Sequence, residues 1–167
     1  MNLKTGKLEE HDSRLPTRES LYNMVDSKWM VENLQDDLAL QMGLYLRGEI
    51  SDIDTDGLKL LSKHLGKSLE LEDGIPTRAS LEALLDAYSF AATRQILKQA
   101  REFTKAKGKK LLVILLDPYR VTRALLEGKP RYDQKIVDYL KQNNFRTFDM
   151  NIVHQEDYKS FNLSPAD

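Results

Sequence analysis

The chain contains no cysteine. Disulfides, thiolate nucleophiles and cysteine-ligated zinc or iron–sulfur centres are therefore excluded. A cysteine-free sequence suits a reducing compartment without requiring one. An excess of either charge is also missing: 25 Lys and Arg face 26 Asp and Glu, giving a formal net charge of −1. No stretch gathers basic residues with interleaved aromatics, so no nucleic-acid footprint is visible and no nucleic-acid partner is expected. The basic run at 105–110, KAKGKK, falls at the end of an expected helix, where lysines complement the helix dipole. Long apolar runs are absent. The first residues, MNLKTGKLEEHD, have no apolar centre, so neither a signal peptide nor a membrane span is expected, and the compartment stays open. No Gly-rich loop follows either expected strand, which disfavours a phosphate- or nucleotide-binding protein. The sequence implies no cofactor and no metal.

One stretch imitates a metal site. Asp52-Ile53-Asp54-Thr55-Asp56-Gly57 opens like a calcium-binding loop, with carboxylates at alternate positions and the glycine in place. Such a loop is completed by a bidentate acid at its twelfth position. That residue here is Lys63, and the normally apolar eighth position is Lys59. The stretch is instead read as the acidic N-terminus of a short helix over 58–65, ended by Gly66.

What is present is the material of one α/β domain, and 167 residues suffice to bury a core. The chain is organised around residues 84–117. A long amphipathic helix there is followed by a break at 107–110 and by the wholly apolar LLVILL at 111–116, ending on Asp117-Pro118. A helix that feeds an uninterrupted apolar run of strand length predicts a parallel sheet buried on both faces. In such sheets chemistry collects beyond the carboxyl ends of the strands, where Asp117 stands.

Residues 1–17 are polar and read as a flexible N-terminal arm; residues 18–167 carry the domain. Thr17 is a candidate helix cap, with Ser20 in the first turn. From Arg18 to Arg47 apolar residues recur at spacings of three and four, among them Leu21, Met24, Val25, Trp29, Met30, Leu34, Leu38, Met42 and Leu46. One helix or two are expected, with a break near Asp26-Ser27 and a stop at Gly48. Trp29 is assigned to the core. The polar stretch 67–76 is read as a linker. Thr77 or Ser80 starts the next helix, whose apolar face is Leu81, Leu84, Leu85, Tyr88, Ala92, Ile96, Ala100 and Phe103.

After Asp117 a short helix is expected over 121–126, ended by Gly128, then a longer one over 132–143 closed by Asn143-Asn144. FRTFDMNI at 145–152 predicts a second strand, and residues 154–167 a loop with one helical turn near 157–161. Strand, helix, strand is a parallel unit. Two strands make a marginal sheet, so the reading is of an incomplete parallel sheet with a helix-rich N-terminal half: either the long helices cover a sheet of two or three strands, or the chain is part of a larger unit. An open sheet edge invites self-association.

The candidate catalytic residues are few. Asp149 and His154 follow the second strand, and an acid and a histidine in that place can serve as orienter and base of a triad. Asp117, with Tyr119 and Arg120, can line a cleft at the strand ends; the competing reading is that Asp117 caps the following helix. No serine stands in a nucleophile-elbow context.

Several stretches carry a resemblance: SLYNMVDSKWMVEN, DAYSFAATRQIL, GKKLLVIL, KPRYDQKIVDYL and HQEDYKSFNLSPAD. From about Ser20 onward the chain resembles the later part of a bacterial family related to the SGNH (GDSL-type) hydrolases. The resemblance implies a flavodoxin-like three-layer α/β/α fold, in which 111–116 is a middle-to-late strand and 145–151 the last. It implies a parent activity of ester hydrolysis, with a small-molecule ester or acylated carbohydrate as substrate. Such enzymes use a serine in a Gly-Asp-Ser element, an oxyanion hole supported by Asn and Gly, and a late histidine; the hydroxyl needs a base within reach and the oxyanion needs fixed donors. This chain departs from that pattern. It has no Gly-Asp-Ser and no Gly-x-Asn-Asp. Its Asp12-Ser13 follows a charged segment rather than a strand. The family's Asp-x-x-His becomes Asn151-x-x-His154. Members of the family continue beyond the SPAD tail into a segment with His, Pro, Gly and Asn. The expectation is therefore a truncated or degenerate hydrolase-like domain, inactive as given, with a non-catalytic α/β binding or interaction module as the alternative.

Overall fold

A computed structural model of the chain describes residues 2, 4–7, 15, 17–34 and 36–161. The chain falls into two compact units, 1–92 and 93–167.

The first unit is helical. Thr17 caps α1 (Arg18–Tyr22): its hydroxyl accepts the Ser20 N–H at 3.1 Å, and the Ser20 hydroxyl accepts the Thr17 N–H at 3.1 Å. This reciprocal pair satisfies two of the donors that every helix start leaves open. A 3-10 turn, Asn23–Val25, leads to Asp26 in extended conformation. The Asp26 carboxylate accepts the Lys28 N–H at 2.9 Å and so starts α2 (Ser27–Leu34). Asp37 does the same for α3 (Leu38–Leu46), accepting the Leu40 N–H at 2.9 Å. The expected break at Asp26-Ser27 is present, and a second one occurs at Asp37. Each aspartate offers the backbone a cap that competes with continued helix. Leu21, Met24 and Val25, expected on a buried face, are exposed, Val25 at 90%. A five-residue helix running into a 3-10 turn changes period and does not hold them on one stripe. Trp29 is half-buried.

The core of this unit joins Met42 of α3, Ile53, Leu58 and Leu61 of α4 (Thr55–Leu65), and Leu81 and Leu84 of α5 (Arg78–Ala106). The calcium-loop look-alike has a structural task. Asp54 caps α4 by accepting the Gly57 N–H at 2.9 Å, and Asp56 pairs with Lys59 at 2.9 Å. Gly57 leaves room for that cap, because a Cβ there would stand 2.4 Å from an Asp54 carboxylate oxygen. Gly66 ends α4 in the left-handed region, as the sequence indicated.

The stretch 67–76 is not a plain linker. Leu71–Glu72 (β1) and Ile75–Pro76 (β2) pair antiparallel around Asp73 and Gly74, both at positive φ. An Asp-Gly pair is what a type I′ hairpin turn requires.

The second unit holds the later part of α5 and the parallel pair β3 (Leu112–Leu115) and β4 (Arg146–Asp149). Between the strands come a π-helical turn (Pro118–Thr122), α6 (Arg123–Leu126) and α7 (Gln134–Gln142); α8 (Met150–Phe161) follows β4. Leu112 lies opposite Arg146, Ile114 opposite Phe148 and Leu115 opposite Asp149. α7 ends at Asn143-Asn144, with Asn144 at φ 53° and the Phe145 N–H returning to the Leu140 carbonyl at 2.9 Å. Arginines one heptad apart tie α5 to this region: Arg94 lies over the Tyr139 ring at 4.7 Å, and Arg101 over Phe145 at 4.1 Å. Arg101 also donates to the Asn143 carbonyl at 2.7 Å. Among the described residues the fold is thus a small α/β arrangement dominated by helix, with two two-stranded sheets, one of them parallel.

Three expectations change in this unit. The last strand stops at Asp149 rather than 152, because the Asp149 carboxylate accepts the Asn151 N–H at 3.1 Å and opens a helix. The tail expected as a loop is α8, twelve residues long. The strand expected to be buried on both faces is not: Leu112, Ile114 and Leu116 are 55–57% exposed. Alternation sends every second residue of a two-stranded sheet to a face that no described element covers. Ile96 and Phe103 of α5 are likewise exposed. The N-terminal Asp12-Ser13 and the SPAD tail lie outside the described residues. Among the described residues no helix is long and apolar enough to cross a membrane.

The Asp54 cap can be tested by a double-mutant cycle in urea unfolding. Asp54→Ala should cost about 1 kcal/mol. Gly57→Ala should be close to neutral in the wild type, where a gain in helix propensity offsets a displaced cap, and stabilising by about 0.5–1 kcal/mol in the Asp54→Ala background. Additive effects would show that the two residues do not interact.

Candidate functional site at the carboxyl ends of the parallel strands

β3 and β4 end side by side, and the side chains beyond them form one hydrogen-bonded cluster. Its centre is Asn151, fully buried in the first turn of α8. The Asn151 Oδ1 accepts the Asp117 N–H at 2.7 Å, just past the end of β3, and the Thr122 hydroxyl at 3.4 Å. Its Nδ2 donates to Asp149 Oδ1 at 3.0 Å. One amide therefore joins the end of β3, the π-helical turn and the end of β4.

Asp149 faces a cation on its other oxygen. Arg131, whose side chain is 7% exposed, donates through Nη1 to Asp149 Oδ2. It grips Asp133 with two parallel bonds, Nε to Oδ1 at 2.6 Å and Nη2 to Oδ2 at 2.9 Å. The two-pronged geometry is the strong form of the arginine–carboxylate interaction. Asp133 first, and then Asp149, hold the guanidinium above its ordinary pKa against the opposing effect of burial. Two carboxylates for one buried arginine leave no buried cation unpaired, and breaking such a pair typically costs about 3–5 kcal/mol.

Asp117 forms the outer part of the cluster. Its Oδ1 accepts the Arg120 N–H at 2.9 Å and so caps the π-helical turn, as the structural alternative for this residue supposed. Its Oδ2 accepts the Tyr132 hydroxyl at 2.9 Å, with the Arg120 Nε 3.8 Å away. The Arg120 guanidinium lies over the Tyr132 ring at 4.5 Å. The Arg120 backbone N–H first, and then Tyr132 and the Arg120 charge, hold the Asp117 carboxyl below the ordinary range, although burial opposes them. Burial, and then Asp117, push the Tyr132 phenol up. The Tyr119 ring is exposed, and only its backbone N–H joins this network, adding a small share to holding the Asp117 carboxyl low.

The three sequence candidates thus divide. Asp117 and Asp149 are brought together through Asn151. His154 is half-buried on α8, and among the described residues no hydrogen bond joins it to Asp149, Asp117 or a serine. Among the described residues no group of three His, Asp or Glu is placed to hold a metal ion. Arg131, Tyr132 and Asp133 were not selected from the sequence. They stand in the KPRYDQ stretch, where an Arg two residues before an Asp after a Gly-Lys-Pro turn was the available signal. Nothing in that spacing shows the arginine to be buried.

The geometry also accounts for the asparagine in Asn151-x-x-His154. A carboxylate at 151 would lie about 3 Å from Asp149 Oδ1 and would lose the donor that Asp149 accepts. No family model matches the chain, and no solved structure matches it.

Asn151→Asp should therefore destabilise the protein by about 2–4 kcal/mol at pH 7, with part of the loss recovered when the new acid is protonated near pH 4. Urea unfolding at both pH values reads the difference; equal loss at both would show that charge repulsion is not involved. Asp117 supplies a second pH test. Its folded pKa is depressed, so its contribution is complete above the unfolded carboxylate pKa and is lost as pH falls through the folded value. Asp117→Asn should flatten the acid limb of the stability curve below about pH 4 and leave its shape near neutrality unchanged.

Proposed function

We propose that the chain carries the scaffold of a degenerate SGNH-hydrolase-like domain, on a flavodoxin-like three-layer α/β/α plan, without a working serine–histidine–acid set. The parallel β3–α7–β4 unit and the polar residues gathered beyond its carboxyl ends support that plan, since open α/β sheets place their sites there. One observation carries the conclusion about chemistry. Every acid at the strand ends is already engaged: Asp149 by Arg131 and Asn151, Asp133 by Arg131, and Asp117 by Tyr132 and the Arg120 N–H. Among the described residues none of these acids accepts from a histidine, and a serine with no base beside it is a poor nucleophile. The parent activity is hydrolysis of an ester, with an acylated carbohydrate as the substrate class.

A second reading has an observation of its own. Leu112, Ile114 and Leu116 share one exposed sheet face with Phe148, and these four apolar side chains suit a non-catalytic interaction module that pairs with a second copy.

Two measurements separate the readings. A fluorophosphonate probe should leave the protein unlabelled, and sedimentation velocity across a concentration series should show a monomer–dimer equilibrium weakened at least tenfold by Ile114→Lys. Stoichiometric labelling of one serine, abolished by His154→Ala, would overturn the inactive assignment. A monomer at all concentrations would remove the interaction module.

A further inference from the structure

A cleft lies in the first unit. It encloses about 570 Å³ between α2, α3 and the loop at 49–54, within the roughly 300–1,000 Å³ of small-molecule sites. Its floor is apolar, with Met30, Leu34, Leu44 and Ile53 all buried. Its rim is acidic: Glu49, Asp52 and Asp54 line it, and among the described residues no lysine, arginine or aromatic ring does.

The three acids differ. Asp54 caps α4. Glu49 has the Arg47 Nε at 3.8 Å. Asp52 is exposed, and among the described residues it accepts only the N–H of its neighbour Ile53 at 2.9 Å and has no ion-pair partner. An apolar floor below an unopposed carboxylate asks for a ligand with an apolar body and a cationic head. A carboxylate head would meet three like charges. A quaternary ammonium would find neither the aromatic faces that usually receive it nor an N–H to give to the rim. A primary ammonium has three donors for Asp52 and the polar groups beside it.

We propose that this cleft binds an amphipathic primary amine, its alkyl chain on the Met30–Leu34–Leu44–Ile53 floor and its ammonium on Asp52. The apolar part sets affinity, rising by up to about fourfold for each methylene that the floor covers. The rim sets the sign of the preferred head group.

Titration calorimetry of the full chain with decylamine, decanol and decanoate, below their aggregation limits, tests this. Decylamine should bind saturably at one site, at least tenfold more tightly than decanoate and several-fold more tightly than decanol. Asp52→Asn, an exposed substitution expected to leave the melting temperature unchanged, should bring decylamine to within about threefold of decanol. Ser51→Lys should shift preference toward decanoate. The proposal is overturned if decylamine shows no saturable binding, if the three decyl compounds bind alike to the wild type, or if both variants keep the wild-type preference for the amine.

Discussion

A single buried amide holds the second unit together. Two short parallel strands have no hairpin to fix their register and too few ladder bonds to persist alone. Asn151 supplies a tie at the end of the ladder: it accepts from the backbone beyond β3 and donates to the carboxylate that ends β4. That carboxylate in turn caps α8 and is neutralised by Arg131, itself locked by Asp133. Each group satisfies the next, and each would be costly to leave without its partner. The buried set of this unit is as polar as it is apolar. Val121, Val137 and Leu140 are matched by Thr122, Arg131 and Asn151. A core with so few large side chains depends on its polar network to an unusual degree.

The same economy explains why one sheet face stays open. Val113 and Leu115 point to the half-buried side, whereas Leu112, Ile114 and Leu116 point away. The first unit is built otherwise. Its core draws leucines and a methionine from three helices, and its polar side chains work mainly at helix starts, where Asp26, Asp37 and Asp54 each cap one. The contrast places polar chemistry in the second unit and an apolar cleft in the first.

Much of this was legible in the residues and some was not. Caps and stops were readable, because Thr17 caps through its own hydroxyl and Gly48, Gly66, Gly128 and Asn144 take up the positive φ that local sequence specifies. The parallel pair and the position of Asp117 were readable from the apolar run and the helix between the strands. The Asp73-Gly74 pair signals a turn, but two-residue strands leave almost no alternation to mark the hairpin around it. Beyond β4, Phe148, Met150 and Ile152 continue a strand-like alternation, and the cap formed by Asp149 overrides it. Burial of Arg131 was not readable at all. An arginine enters a core when its charge is paired there, and one of its two acids here, Asp149, is eighteen residues away.

Amide hydrogen exchange at Asp117 tests the central role of Asn151 most directly. Its N–H ends on the Asn151 carbonyl oxygen at 2.7 Å and on no other described group. In the wild type this amide should exchange as slowly as those of Val113–Leu115, and in Asn151→Ala its protection and that of β3 should both fall by at least a hundredfold. Protection at β3 that is unchanged by Asn151→Ala would show that the strands hold without the tie, and would contradict the account.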